Sequence, residues 1–203
     1  MRINSVRIEV SGMSQRQERR AIISANMALD FFSSDFFKDK LINLDVLSLR
    51  GESKNSITKK YQGEALYNLF MSGKEEWNGD VDYEIDLIVK RYRKMWSKVK
   101  GYIIPMKPTV FVNAKYFDVA SIIDIVSNFC HEYSHTLGCR HFGKFIRESL
   151  PYLINEWVEE YFDEDKPVTT HIENNYHNIN TEVVCKRVWW KLWLGKVCYR
   201  VVS

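Results

Sequence analysis

His131-Glu132-Tyr133-Ser134-His135-Thr136-Leu137-Gly138-Cys139-Arg140-His141 is the stretch from which the rest of this chain can be read. It holds three of the five histidines of a 203-residue protein. As a spacing it reads H-E-x-x-H-x-x-G-x-x-H. On a helix, His131 and His135 stand one turn apart and project from the same face. Two imidazoles at that spacing can share one zinc ion, and Glu132 beside them is placed to take a proton from water at the ion. Gly138 permits a positive φ, which ends the helix and turns the chain. His141 can then come back to the same metal as a third ligand. Three protein nitrogens leave a fourth position for water, the arrangement of a catalytic rather than a structural zinc site.

From average residue frequencies, a bare H-E-x-x-H falls by chance in under about one in a hundred chains of this length. The added Gly and His lower that by a further factor of roughly several hundred. The competing account is an amphipathic helix with exposed histidines. The eleven residues 131–141 resemble the zinc motif of the metzincin clan of metallopeptidases. That resemblance implies zinc held by His131, His135 and His141, with Glu132 as general base. It covers this stretch and its flanks, not the whole chain.

One feature departs from the clan. Metzincins carry a methionine in a tight turn after the third histidine, and here Met1, Met13, Met27, Met71, Met95 and Met106 all lie upstream. Ser149-Leu150-Pro151-Tyr152 follows instead. Pro151 suits a turn, and Leu150 could supply an apolar floor beneath the metal. The segment resembles a Ser-Val-Pro-Tyr stretch in small phage and bacterial proteins that carry this zinc motif. Some metzincins place a tyrosine near the metal at this point, which makes Tyr152 a candidate ligand or oxyanion donor. The plainer account is a tyrosine packed at a turn.

Apolar content of 45% supports a sizeable core, and a net charge of +3 is too small to argue for nucleic acid. Cys130, Cys139, Cys185 and Cys198 show no CxxC spacing, which suits a reducing compartment better than a disulfide scaffold. The N-terminal stretch alternates polar and apolar residues and has no hydrophobic core of a secretory signal. No apolar run is long enough to cross a bilayer. The expected location is cytoplasmic, with association with a virion as the variant.

Val6, Ile8 and Val10 alternate as in a first strand. Ser14, with Gln17 in capping-box position, opens a helix through Ala21, Ile22, Ala25, Ala28, Leu29 and Phe32. Residues 45–49 suggest a second strand, 51–56 a turn or mobile loop, and 57–71 a helix ending at Gly73. Asn78-Gly79-Asp80 signals a turn, and residues 83–92 and 109–113 read as strands. The basic residues between 91 and 100 suit a solvated surface, although Tyr92 and Trp96 leave a weak nucleic-acid reading. A loop is expected at Tyr116-Phe117. Asp118 is the expected N-cap of an active-site helix over 118–137, buried through Ile123, Val126, Phe129, Cys130, Tyr133 and Leu137. Asp124, Ser127 and Asn128 fall near its histidine face, where they could orient His131 or His135; for Ser127, solvent is the preferred account. Residues 153–162 read as a closing helix. Its Glu156, Glu159 and Glu160 offer a thermolysin-like alternative to His141 as third ligand.

Pro167 marks a boundary between a catalytic domain over 1–166 and an aromatic, basic extension over 167–203. In the extension His171 and His177 match no ligand pattern, and Gly195 could turn a hairpin, or the stretch could begin as a helix. Trp189, Trp190 and Trp193 alternate with Lys and Arg. Such a mix can contact a membrane surface, a nucleic acid or a partner protein, and most often packs on the core with its charges outward. The fold class expected is α+β, a metzincin-like zinc-peptidase domain with a small, mostly antiparallel or mixed sheet. The expected function is zinc-dependent hydrolysis of peptide bonds in a protein or peptide substrate. The alternative is a non-catalytic zinc-containing structural or binding protein, for example a phage virion component.

Overall fold

Val6 and Ile8 are buried while Arg7 and Glu9 take the other side, so the two-residue period builds the first strand, β1 (Ser5–Ser11). The structure is a computed structural model that describes residues 3–77, 79–96, 99–104, 109–163, 181–187 and 196–202, the last two segments as backbone. The expected capping box opens α1 (Gln15–Ser33): Ser14 Oγ accepts from the Gln17 amide, and Gln17 Oε1 accepts from the Ser14 amide at 2.8 Å. There follow α2 (Asp35–Ile42), α3 (Gly63–Met71), β2 (Glu84–Tyr92), β3 (Gly101–Ile103), β4 (Thr109–Asn113) and α4 (Ala114–Phe117). The order closes with α5 (Ile122–Thr136), α6 (Leu150–Asp163), β5 (Thr181–Arg187) and β6 (Lys196–Val202).

The fold is mixed α+β. The strands form one sheet in the order β3-β4-β2-β1-β6-β5. Its centre is parallel, β1 with β2 and β2 with β4, and its flanks are antiparallel. A parallel pair needs a long crossover, and the helices α1 to α3 fill the one between β1 and β2. The sheet is therefore mixed rather than mostly antiparallel. Helix α1 packs on β1 and on α5, and α5 reaches β2 and β3. Phe31, Phe32, Phe37, Phe70 and Tyr133 form the aromatic centre, with Phe32 and Tyr133 edge to face at 5.2 Å. Tyr133 also donates its hydroxyl to the Phe70 carbonyl at 3.2 Å. One side of α5 is thereby fixed to the core, and its histidine side is left to line a cleft.

Several local expectations are corrected. Residues 45–49 are not a strand; Asp45 caps a single 3₁₀ turn, Val46–Ser48. The stretch 57–71 is broken into a 3₁₀ turn, Ile57–Lys59, and α3. Tyr116 and Phe117 belong to α4, not to a loop. Asp118 ends α4, and Ser121 caps α5 in a capping box with Asp124, three residues later than expected. Ser121 wins because the chain must first close α4 and turn. Within the expected buried face Ile123 is only half-buried.

Tyr92 packs edge to face on Tyr102 at 5.4 Å, while Trp96 is 97% exposed. Strand β6 runs antiparallel to β1 from Val6↔Val202 to Ile8↔Arg200. Trp189, Trp190, Trp193 and Gly195, like Pro167, His171, His177, Asn78, Pro105 and Pro108, lie outside the described residues. Among the described residues no helix is long and apolar enough to cross a bilayer.

Candidate metal centre

Three imidazoles converge at the end of α5. One ring nitrogen from each of His131, His135 and His141 lies within 4.8 Å of the others, close enough to bind one metal ion. The ring centroids are 5.0 Å apart for His131 and His135, 5.6 Å for His131 and His141, and 4.9 Å for His135 and His141. Among the described residues, none of Glu156, Glu159 and Glu160 joins this group. Glu160 instead pairs with Lys40 at 2.8 Å.

The return of His141 depends on Gly138, whose φ of 96° is open to few L side chains. A Cβ there would also meet Glu76 Oε1 at 2.9 Å. The turn is then held from both sides. The Ile57 amide donates to the Gly138 carbonyl at 3.0 Å, and the Ser53 amide to the Arg140 carbonyl at 2.8 Å. The Glu76 amide donates to Thr136 O at 2.8 Å, and the Glu76 carboxylate pairs with Arg140. Residues 51–56, expected as a turn or mobile loop, form a turn, with the Ser56 amide donating to the Ser53 carbonyl at 3.0 Å, and serve as an anchor. Glu52 bridges to His141 through the backbone. Its buried carboxylate accepts from Thr58 Oγ1 and from the Leu150 amide, each at 2.7 Å. One acid thus ties the third histidine to the start of α6.

That start is not a turn under the metal. Ser149 O accepts from the amides of Tyr152 and Leu153, so Pro151 sits in the first turn of α6, where its missing N–H costs nothing. Leu150 is fully buried. Tyr152 projects to the histidines, its ring 4.9 Å from that of His131 and 5.2 Å from that of His141.

The donor set suits a metal. Burial holds the His131 imidazole down at about 3 and His135 at about 4, and it lowers His141 too. All three are neutral at pH 7 and keep a lone pair. His135 Nδ1 lies 2.7 Å from the Cys139 carbonyl, which can only accept, so the proton is on Nδ1 and Nε2 is free. Among the described residues, His131 Nδ1 is buried without a hydrogen-bond partner, and so is Asn155 Oδ1. His135 and His141 add to the lowering at His131, and the Pro151 carbonyl and the Asn155 side chain oppose it.

Glu132 is buried, and burial pushes its carboxyl up to about 7, against hydrogen bonds from Asn128 and the Ile103 backbone. Asn128 Nδ2 lies 3.4 Å from Glu132 Oε1. Asn128 therefore orients the acid and not, as expected, a histidine. Gly101 makes room for it, since a Cβ there would sit 2.5 Å from Asn128 Oδ1. Asp124 is engaged in capping α5 and with Lys100 at 3.2 Å, and Ser127 is buried rather than in solvent.

A cavity of about 590 Å³ opens over His131, Glu132 and Tyr152. Lys100, Gly101 and Asn128 line one part of its wall, and Arg147, Asn155, Glu156 and Glu159 another. No family model, curated protein or solved structure matches this chain. The functional reading therefore stands on the site itself.

Glu52, Asn155 and Arg147 are the residues a sequence reading misses. They belong to no motif, and what they meet is set by the fold. The Glu52 bond to Leu150 spans 98 positions.

Proposed function

We propose that this chain is a zinc-dependent metalloendopeptidase of metzincin type. The observation that carries the reading is the convergence of three neutral imidazoles beside a buried glutamate, at one wall of a substrate-sized cavity. His131, His135 and His141 would hold the metal, and an all-imidazole donor set suits zinc among the common cations. When bound, zinc supplies Lewis acidity, bringing the pKa of a water near 7 and polarising a substrate carbonyl.

The protein's own groups do the rest. Glu132, buried beside the histidines, can accept a proton and return it. It takes the proton of the attacking water on a carboxylate oxygen and delivers it to the nitrogen of the leaving amine. Asn128 and the Ile103 backbone hold that carboxylate in one orientation. Tyr152, against two of the histidines, donates its hydroxyl to the carbonyl oxygen as that oxygen gains charge. β3 lies at the end of the sheet order, and Gly101 lines the cavity. An extended peptide can pair with its open edge, which presents the scissile bond to Glu132.

The deciding experiment is digestion of an unbiased peptide library by zinc-loaded protein, with Glu132→Gln alongside. The variant keeps its shape and loses its base, so zinc content should match the wild type. Turnover should fall by roughly two to four orders of magnitude. Equal turnover removes Glu132 from the chemistry, and a zinc-loaded wild type that cleaves no peptide replaces this reading with a non-catalytic zinc protein.

A further inference from the structure

We propose that Glu75, Asp82 and Asp86 form a second metal site, separate from the histidines, that takes calcium. Glu75 follows α3, Asp82 precedes β2, and Asp86 lies within β2. One carboxylate oxygen from each lies within 4.8 Å of the other two. Proximity alone would be unremarkable for exposed acids, but two of these are not exposed. Glu75 has no accessible surface and Asp86 only 4%. Glu75 Oε1 accepts from the Asp86 amide at 3.3 Å, yet Glu75 Oε2 has no hydrogen-bond partner among the described residues. Asp86 Oδ1 is likewise without a hydrogen bond, with Arg7 Nη1 facing it from 3.8 Å.

Buried carboxylate oxygens without donors are strongly disfavoured unless a cation or a proton compensates them. The surroundings add to the need for a cation. Glu9 from β1 and Glu84 from β2 also press negative charge on Asp86, and Arg7 is the positive group that answers them. Tyr133 of α5, on the third side, offers no charge; the three acids push its hydroxyl still further from ionisation. Left to themselves, burial and mutual repulsion raise Glu75 to about 8 and Asp86 to about 6. Arg7 is shared with Glu9, to which it pairs at 3.2 Å, so a divalent ion would offset negative charge that Arg7 does not.

The donor chemistry selects the ion. All-oxygen ligands favour hard cations over zinc. Calcium takes about six to eight oxygens at about 2.3–2.6 Å in flexible geometry, whereas magnesium demands near-ideal octahedral geometry and keeps most of its waters, so three carboxylates fixed by the fold favour calcium. Asp82 is exposed, which leaves one side of the site for water ligands. The placement gives the ion a structural task. Glu76, the next residue, holds the end of α5 through Thr136 and Arg140. Fixing Glu75 fixes that clamp, beside the turn that brings in His141.

The test is a calcium chloride titration of the full chain after metal removal, followed by calorimetry and thermal unfolding at pH 7.5. About one calcium should bind saturably. The melting temperature should rise by roughly 5–10 °C at a hundredfold excess over Kd, and less with magnesium. Glu75→Gln and Asp86→Asn should each weaken calcium binding at least about tenfold. Should either buried variant misfold, Asp82→Asn at the exposed ligand carries the same expectation. The proposal is overturned if calcium neither binds nor stabilises, or if binding survives in the Glu75→Gln, Asp86→Asn double variant. A protonated Glu75 is the competing state, and it has its own signature. With its pKa raised from 4.5 to about 8, the stability it contributes is full below pH 4.5 and is lost as pH rises through about 8. That decline, abolished by Glu75→Gln and untouched by calcium, would replace the ion with a proton.

Discussion

Glu52→Ala should be among the most damaging single changes outside the histidines. Its carboxylate accepts two hydrogen bonds at 2.7 Å, from Thr58 Oγ1 and from the Leu150 amide. Both partner residues are fully buried. A hydrogen bond to a charged group contributes about 1.5–3 kcal/mol, and a buried donor left behind adds its own desolvation cost. Thr58 still reaches Ser56 Oγ at 2.9 Å, so its share lies at the low end. The Leu150 amide is an unsatisfied first-turn donor of α6 and carries most of the loss. The total comes to roughly 3–4 kcal/mol. For a chain of this size that is a drop of about 6–16 °C in melting temperature.

Glu52→Gln should cost far less, under about 1.5 kcal/mol. Its amide oxygen can serve Leu150, and its NH2 can donate to Thr58 Oγ1. The assay is thermal unfolding of the three proteins, read together with zinc affinity. Since the Glu52 carboxylate fixes the segment whose backbone bridges to His141, the alanine variant should also bind zinc about 10–100-fold more weakly, as supporting residues usually do. An alanine variant within about 0.5 kcal/mol of wild type would refute the anchoring role. A glutamine variant as damaged as alanine would refute the hydrogen-bond account of it.

The purified protein should hold about one zinc per chain, and His141→Ala should lose it more severely than Glu156→Ala or Glu159→Ala; zinc stripped by a glutamate change but kept by His141→Ala would make the third ligand a carboxylate. Gly138→Ala should destabilise by roughly 1–3 kcal/mol, because it forces an L residue to a φ of 96° and drives its Cβ against Glu76; an unchanged melting curve would show that the turn relaxes freely. Tyr152→Phe keeps the ring beside His131 and His141, so zinc content should hold while kcat falls about 10–1,000-fold; an unchanged kcat would leave Tyr152 as packing.

The ligand set was legible in the sequence because it is local. A helical repeat puts His131 and His135 on one face, and the glycine three residues on from His135 lets His141 return; each step needs only covalent geometry. Strands β1, β2 and β4 and the capping box of α1 were legible for the same reason. A two-residue or 3.6-residue period is written in neighbouring positions.

What the tertiary structure alone decided is everything that joins distant segments. No spacing between residues 51–56 and 138–142 announces that the first braces the second, so between a turn and a mobile loop at 51–56 only the tertiary contacts select the turn. The identity of the group that orients Glu132 depends on β3 approaching α5 so closely that a Cβ at 101 would displace the Asn128 side chain. The Glu75, Asp82 and Asp86 cluster looks in sequence like three charges among many, and only the packing of the 73–76 segment on β2 buries two of them, each with one carboxylate oxygen lacking a hydrogen bond among the described residues. Burial is a property of the whole assembly of elements, and so is every pKa that follows from it. The sequence by itself therefore named the atoms that can meet a metal, and tertiary packing set the protonation, the orientation and the support that let them act.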